Sequence, residues 1–177
     1  MNNKEISGIL NSHPGIKKTF VGVFPADMLP KKNITSGFYV ANTDPHFKKG
    51  EHWVAFYIPS ENDDEKHKEY WDSYGFKPPP IFLPFLGDSY IRSTKFIQHP
   101  LSSTCGQHCI FYILQRCNGY SIQDIVSIFT VNQLENDIIV NKTIEDNFCV
   151  DLDVFDTNYL HKQISSSLQS LKNNGKF

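Results

Sequence analysis

The run from His52 to Ile58, HWVAFYI, constrains the fold more than any other stretch of this chain. It is almost continuously apolar, and Gly50 upstream and Pro59 downstream close it off. A short run of this kind, bounded by breakers, reads as a strand covered on both faces. A chain with such a strand must place a layer of structure on each side of it.

The flanking segments supply those layers. Ile6, Ile9 and Leu10 sit at helical spacing in residues 2–11, and His13-Pro14-Gly15 stops the pattern. Residues 19–24 (TFVGVF) and 37–42 (GFYVAN) are β-branched and aromatic, hence strands, with a loop at 25–33 between them. The charged stretch 60–68 reads as a hairpin loop, and 69–73 (EYWDS) as the antiparallel partner of 52–58. A proline run at 78–80 leads into a short apolar segment at 81–86, and 94–98 (TKFIQ) reads as a further strand. Residues 105–117 (CGQHCIFYILQRC) have helical spacing, with Ser102, Ser103 or Thr104 available as N-cap and Asn118-Gly119 as the stop. Residues 121–129 form a second amphipathic helix, and 157–171 another, before a tail at 172–177. The stretch 130–156 shows no clear period. The fold class is therefore α+β, with one domain spanning 1–177.

Length and composition agree with that reading. The chain has 177 residues, 40% of them hydrophobic and 20% charged, which is globular rather than disordered or fibrous. No apolar run approaches the roughly 20 residues that span a bilayer, so no membrane association is expected. The N-terminal stretch lacks the apolar core of a secretory signal, which predicts a protein that is not secreted. The net charge of −2 gives no overall drive toward nucleic acid, although the pairs Lys17-Lys18, Lys31-Lys32 and Lys48-Lys49 offer local basic character. The four cysteines, Cys105, Cys109, Cys117 and Cys149, are too few and too clustered for a disulfide framework. They read as reduced thiols, and their spacing does not form a zinc site.

The chemistry centres on Cys105. It opens a predicted helix, where free N–H groups and the helix dipole favour a thiolate. Gly106 beside it would allow a substrate backbone to come close. Cys109, one turn further in, reads as core. A thiol nucleophile needs a base, and His52, at the start of the buried strand, can take the proton and return it to a leaving amine. Antiparallel pairing of 52–58 with 68–73 brings Asp72 near His52, where it can orient the imidazole. Gln98 precedes the helix and can donate to an oxyanion together with the Cys105 N–H. Trp53 and Trp71 adjoin the site residues and read first as structural, with packing against the imidazole as the other role. Taken singly, each of these residues also has an ordinary structural reading.

Their order along the chain is more specific. His52-Trp53, then Asp72-Ser73-Tyr74-Gly75-Phe76, then Gln98, then Cys105-Gly106, resembles the adenain family of viral cysteine proteases. That family is related to the SUMO-deconjugating proteases. The resemblance extends to the N-terminal helix, 20–24, 41–43 and 50–56, covering about residues 4–130. It implies a papain-like, adenain-like fold with a central mixed sheet flanked by helices and the nucleophile at a helix N-terminus. It also implies His52 as base, Asp72 as orienting acid, Cys105 as nucleophile and Gln98 as oxyanion donor. The implied substrates are viral capsid or core precursor polypeptides cleaved after small residues such as Gly. The implied setting is the virion and the host nucleus or cytoplasm, for a virus or a virus-like mobile element.

Two departures qualify those implications. In adenovirus enzymes an activating peptide forms a disulfide with a cysteine between the acid and the Gln. No cysteine lies between Asp72 and Gln98 here, so activation is expected to be peptide-free or to use a noncovalent peptide. Those enzymes are also basic and use DNA as a cofactor, and the charge of −2 argues against DNA activation here. No cofactor or metal is expected for the chemistry itself. Two other functions compete: a deconjugase for SUMO-like or ubiquitin-like proteins, and a catalytically inactive relative acting in binding or assembly.

Overall fold

A computed structural model describes residues 1–63 and 66–148. The predicted helix at 157–171, the tail after it and Cys149 lie outside the described residues. The centre is a five-stranded mixed sheet of β1 (Phe20–Phe24), β2 (Gly37–Asn42), β3 (Trp53–Ile58), β4 (Lys68–Trp71) and β5 (Tyr90–Arg92), in that spatial order. The outer pairs are parallel and the inner pairs antiparallel. The apolar run at 52–58 thus forms the middle strand.

The strands alternate cleanly between two cores. Phe38, Val40, Trp53, Ala55 and Trp71 face one side. There they meet α1 (Asn3–Ser12), α2 (Pro14–Lys17), α4 (Cys105–Cys117), α5 (Ile122–Ile128) and α6 (Gln133–Phe148). Tyr39, Ala41, Val54, Phe56 and Tyr70 face the other side. They are covered by Leu29, Phe82, Phe85 and Leu86, from the loop after β1 and the segment that ends in α3 (Leu83–Leu86). Both faces of β3 are buried, as its composition requires. The fold is α+β, with a central mixed sheet flanked by helices. Among the described residues no helix is long and apolar enough to cross a membrane.

α4 lies in the core on the first side, and its residues Cys105 to Leu114 are all buried. Its distal half is tied to β4 by a buried carboxylate: Glu69 accepts from Tyr112 Oη (2.5 Å) and Arg116 Nε (2.9 Å). Arg116 also lies 5.0 Å over the ring of Tyr57 on β3. Removing one member of such a buried pair costs about 3–5 kcal/mol, so the helix cannot slide freely along the sheet.

Two expectations are corrected. Residues 94–98 are not a strand; the fifth strand is Tyr90–Arg92. The chain leaves the sheet at Ser93, whose hydroxyl exchanges hydrogen bonds with the Asp72 backbone (2.9 and 2.8 Å). The N–H groups of Ile97 and Gln98 then both turn to the Ser73 carbonyl (2.8 and 3.1 Å) instead of a ladder. The unassigned stretch after 130 contains the long helix α6. Its buried face mixes Val140, Ile144 and Phe148 with Asn136, Asp137 and Asn141, and those polar positions hide the helical period.

Candidate active site

The buried middle strand delivers His52 at its entrance, immediately before β3. Asp72 follows the last residue of the neighbouring β4, and the β3–β4 register sets Ala55 opposite Trp71. That pairing carries the two side chains together: His52 Nε2 lies 3.0 Å from Asp72 Oδ1. Asp72 is itself held. Its Oδ1 accepts from the Tyr74 N–H (2.8 Å), and its backbone carbonyl accepts from the Gly75 N–H (2.9 Å). Gly75 closes this turn with φ +68, and a Cβ there would fall 2.8–2.9 Å from the backbone of Thr94 and Lys95.

With Nε2 committed to Asp72, Nδ1 is the nitrogen of His52 that remains for the Cys105 sulfur. Cys105 is the first residue of α4. Its burial favours the neutral thiol. The hydrogen bond and charge of His52, with the backbone N–H groups of Trp53 and Gly106, outweigh that and bring the thiol below its ordinary range. Burial likewise works against charge on His52, yet the bonds to Asp72 and Cys105 lift its imidazole to about 9. The pair therefore favours a thiolate and an imidazolium. Cys109, wholly buried one turn on, has its thiol pushed well above the usual range by burial, which leaves it inert.

Tyr74 is the residue against the imidazole, stacked at 5.0 Å and 25°. Phe96 stacks on the other side of Tyr74 at 5.3 Å. The tryptophans play other roles. Trp71 is fully buried and stacks on Tyr112 at 5.0 Å and 13°. Trp53 packs into the helix-side core, and its Nε1 donates to the Met1 carbonyl (3.2 Å). Gly106 was expected to leave room for a substrate. Instead, a Cβ there would lie 3.1–3.3 Å from Met1 and Ile6 side-chain atoms. The space is filled by Ile6 of α1 and by Met1.

Gln98 is buried and anchored at both ends of its amide. Its Oε1 accepts from Ser73 Oγ (2.7 Å), and its Nε2 donates to Ser102 O (3.0 Å) and Ser102 Oγ (3.2 Å). The donor assigned to an oxyanion is thus engaged with Ser102, and must part from it to reach a substrate. Sequence reasoning missed Ser73, Ser93, Ser102 and Tyr74 as supports, although Ser73 and Tyr74 stand inside the motif around Asp72. It also missed Asp137, fully buried on α6, for which no local signal exists. Among the described residues no group of three His, Cys, Asp or Glu side chains is arranged to hold a metal.

The arrangement can perform nucleophilic acyl transfer: a thiolate at a helix N-terminus, an adjacent imidazole, and a carboxylate fixing that imidazole. No family model and no curated protein matches the chain. Among solved structures it is similar to the ASFV pS273R protease, crystallised in its selenomethionine form, at 21% identity and a TM-score of 0.44. The match covers 58% of this chain and 43% of that one, less than half of that protein's length.

Proposed function

We propose that this chain is a cysteine endopeptidase that cleaves precursor polypeptides after small residues such as Gly. The observation that carries the reading is the continuous contact from Asp72 through His52 to Cys105 at the start of α4. His52 Nδ1 takes the Sγ proton, and the thiolate attacks the scissile carbonyl carbon to form a C–S bond. The tetrahedral species collapses as the C–N bond breaks, and His52 returns the proton to the departing amine. Water, deprotonated by His52, then attacks the thioester and releases the free thiol and a carboxylic acid product. The Cys105 N–H, and Gln98 once parted from Ser102, stabilise the oxyanion.

The substrate class and a viral setting belong to the same reading and are supported by the sequence resemblance, while the lack of a cysteine between Asp72 and Gln98 supports activation that is peptide-free or uses a noncovalent peptide. The test is hydrolysis of a fluorogenic peptide ending in Gly-Gly beside a SUMO-tail substrate. Cleavage of the first, with slower cleavage of the second, is expected; the reverse order would make the chain a deconjugase. Cys105→Ala should abolish turnover with an unchanged circular dichroism spectrum. Turnover that survives this substitution would overturn the assignment.

A further inference from the structure

We propose that Tyr74, Phe76 and Phe96 form a leaving-side subsite, which takes a large apolar side chain from one of the first two residues after the scissile bond. This rests on the peptidase reading above.

The surface begins at His52. Tyr74 stacks on the imidazole with 5.0 Å between ring centroids. Phe96 stacks on Tyr74 in turn, at 5.3 Å and 25°, and Phe76 meets Tyr74 at 5.8 Å and 45°. Burial pushes the Tyr74 phenol up to about 12, so all three rings are uncharged at neutral pH. The inner ring is half-buried, whereas Phe96 is 40% and Phe76 61% exposed. Both phenylalanines forgo stabilisation that burial would give them. An exposed apolar side chain standing alone is ordinary, but contiguous rings running out from a reactive imidazole mark a place where something binds.

The local chain holds these rings out. Ile97 is fixed in the helix-side core, and its neighbour Phe96 is left outside. Arg92 Nη1 donates to the Gly75 carbonyl (2.9 Å) and to the Ser93 carbonyl (3.0 Å). That side chain ties the turn before Phe76 to the segment before Phe96. The two outer rings thus ride on one braced unit, and the surface exists before a substrate arrives.

The chemistry decides which part of a substrate reaches it. His52 must return its proton to the departing amine, so that nitrogen lies within hydrogen-bond reach of the imidazole. The next Cα is about 1.5 Å from that nitrogen, and an extended chain advances about 3.3–3.6 Å per residue. The first leaving-side residue therefore passes Tyr74, and the second comes level with Phe76 and Phe96. The acyl half departs from the scissile carbon in the other direction, so these rings do not select the residue before the bond.

The test compares three peptides that share an acyl half ending in Gly-Gly. Their leaving halves begin Phe-Ser, Ser-Phe or Ser-Ser, and cleavage is followed by chromatography. The better of the two Phe peptides should exceed the Ser-Ser peptide at least about tenfold in kcat/KM. Phe76→Ser combined with Phe96→Ser should bring that ratio to within about twofold of one. Phe76→Leu combined with Phe96→Leu should keep it above about fivefold. Losses of folded protein or of thiol reactivity lower all three rates alike and leave the ratio unmoved. A wild-type ratio near one, or a serine variant that keeps the full ratio, would overturn the subsite and leave the peptidase reading intact. Equal cleavage by a wild-type dimer that the serine variant dissociates, seen by sedimentation, would overturn it in favour of a contact between copies. Cleavage of none of the three would overturn the peptidase reading, and the subsite with it.

Discussion

Two histidine–aspartate pairs flank the first turns of α4, and they are built for different ends. His52 and Asp72 meet at 3.0 Å with the imidazole still partly open to solvent. His108 and Asp137 meet at 2.7 Å with both side chains wholly buried. The second nitrogen of His52 has the Cys105 sulfur beside it, whereas Nδ1 of His108 has no hydrogen-bond partner among the described residues. The first pair can pass a proton onward. The second ends in the core, and holds a helix end in place. Chemistry at a carboxylate–imidazole pair depends less on the pair than on what its far nitrogen touches.

Breaking the comparison separates the two roles. His52→Ala should lower kcat by about 10³-fold or more with an unchanged melting temperature, because the thiol loses its base. Asp137→Ala should do the opposite first. It leaves the His108 Nε2 without the carboxylate it contacts, and should cost about 3–5 kcal/mol of stability, read by chemical denaturation. If the His52 variant melted early and the Asp137 variant did not, the two pairs would be misassigned. A smaller effect is expected from Asp72→Asn, about 10- to 100-fold in kcat with KM nearly unchanged, because the imidazole is still held but less well oriented.

The mildest test is pH. His52 is raised to about 9 and Cys105 is lowered, so the thiolate–imidazolium pair is populated between the two. kcat/KM should fall as pH rises through about 9, where His52 loses its proton, and again on the acid side where Cys105 gains one. The bond to Asp72 helps to raise His52, so Asp72→Asn should move the alkaline limb toward the ordinary value near 6.5. A limb that does not move would show that Asp72 does not tune the base.

The same contrast explains what could be read from the amino acids. His52, Asp72 and Cys105 were legible because each stands at the end of a strongly patterned element, and a hairpin register relates two of them. The flanking layers were legible for the same reason, from the periods of residues 2–11 and 105–117. Asp137 was not. It lies on a helix whose buried face carries Asn136 and Asn141 as well, so neither its helical setting nor its partners leave a local trace. The strand expected at 94–98 failed because its backbone donors answer to Ser73, a tertiary demand that β-propensity cannot register. Gln98 was singled out by its position before the helix, but its engagement with Ser102 exists only once the loop is folded.

The turn at Gly75 bears on how the site tolerates change. Its left-handed backbone and the 2.8 Å approach to the Thr94 backbone leave no volume for a methyl group. Position 75 acts as a spacer of zero thickness between the turn that carries Asp72 and the segment that leads to Cys105. Any side chain there would wedge the two apart. In a selection for activity, position 75 should therefore reject substitution as sharply as Cys105 does, although it touches neither proton nor substrate.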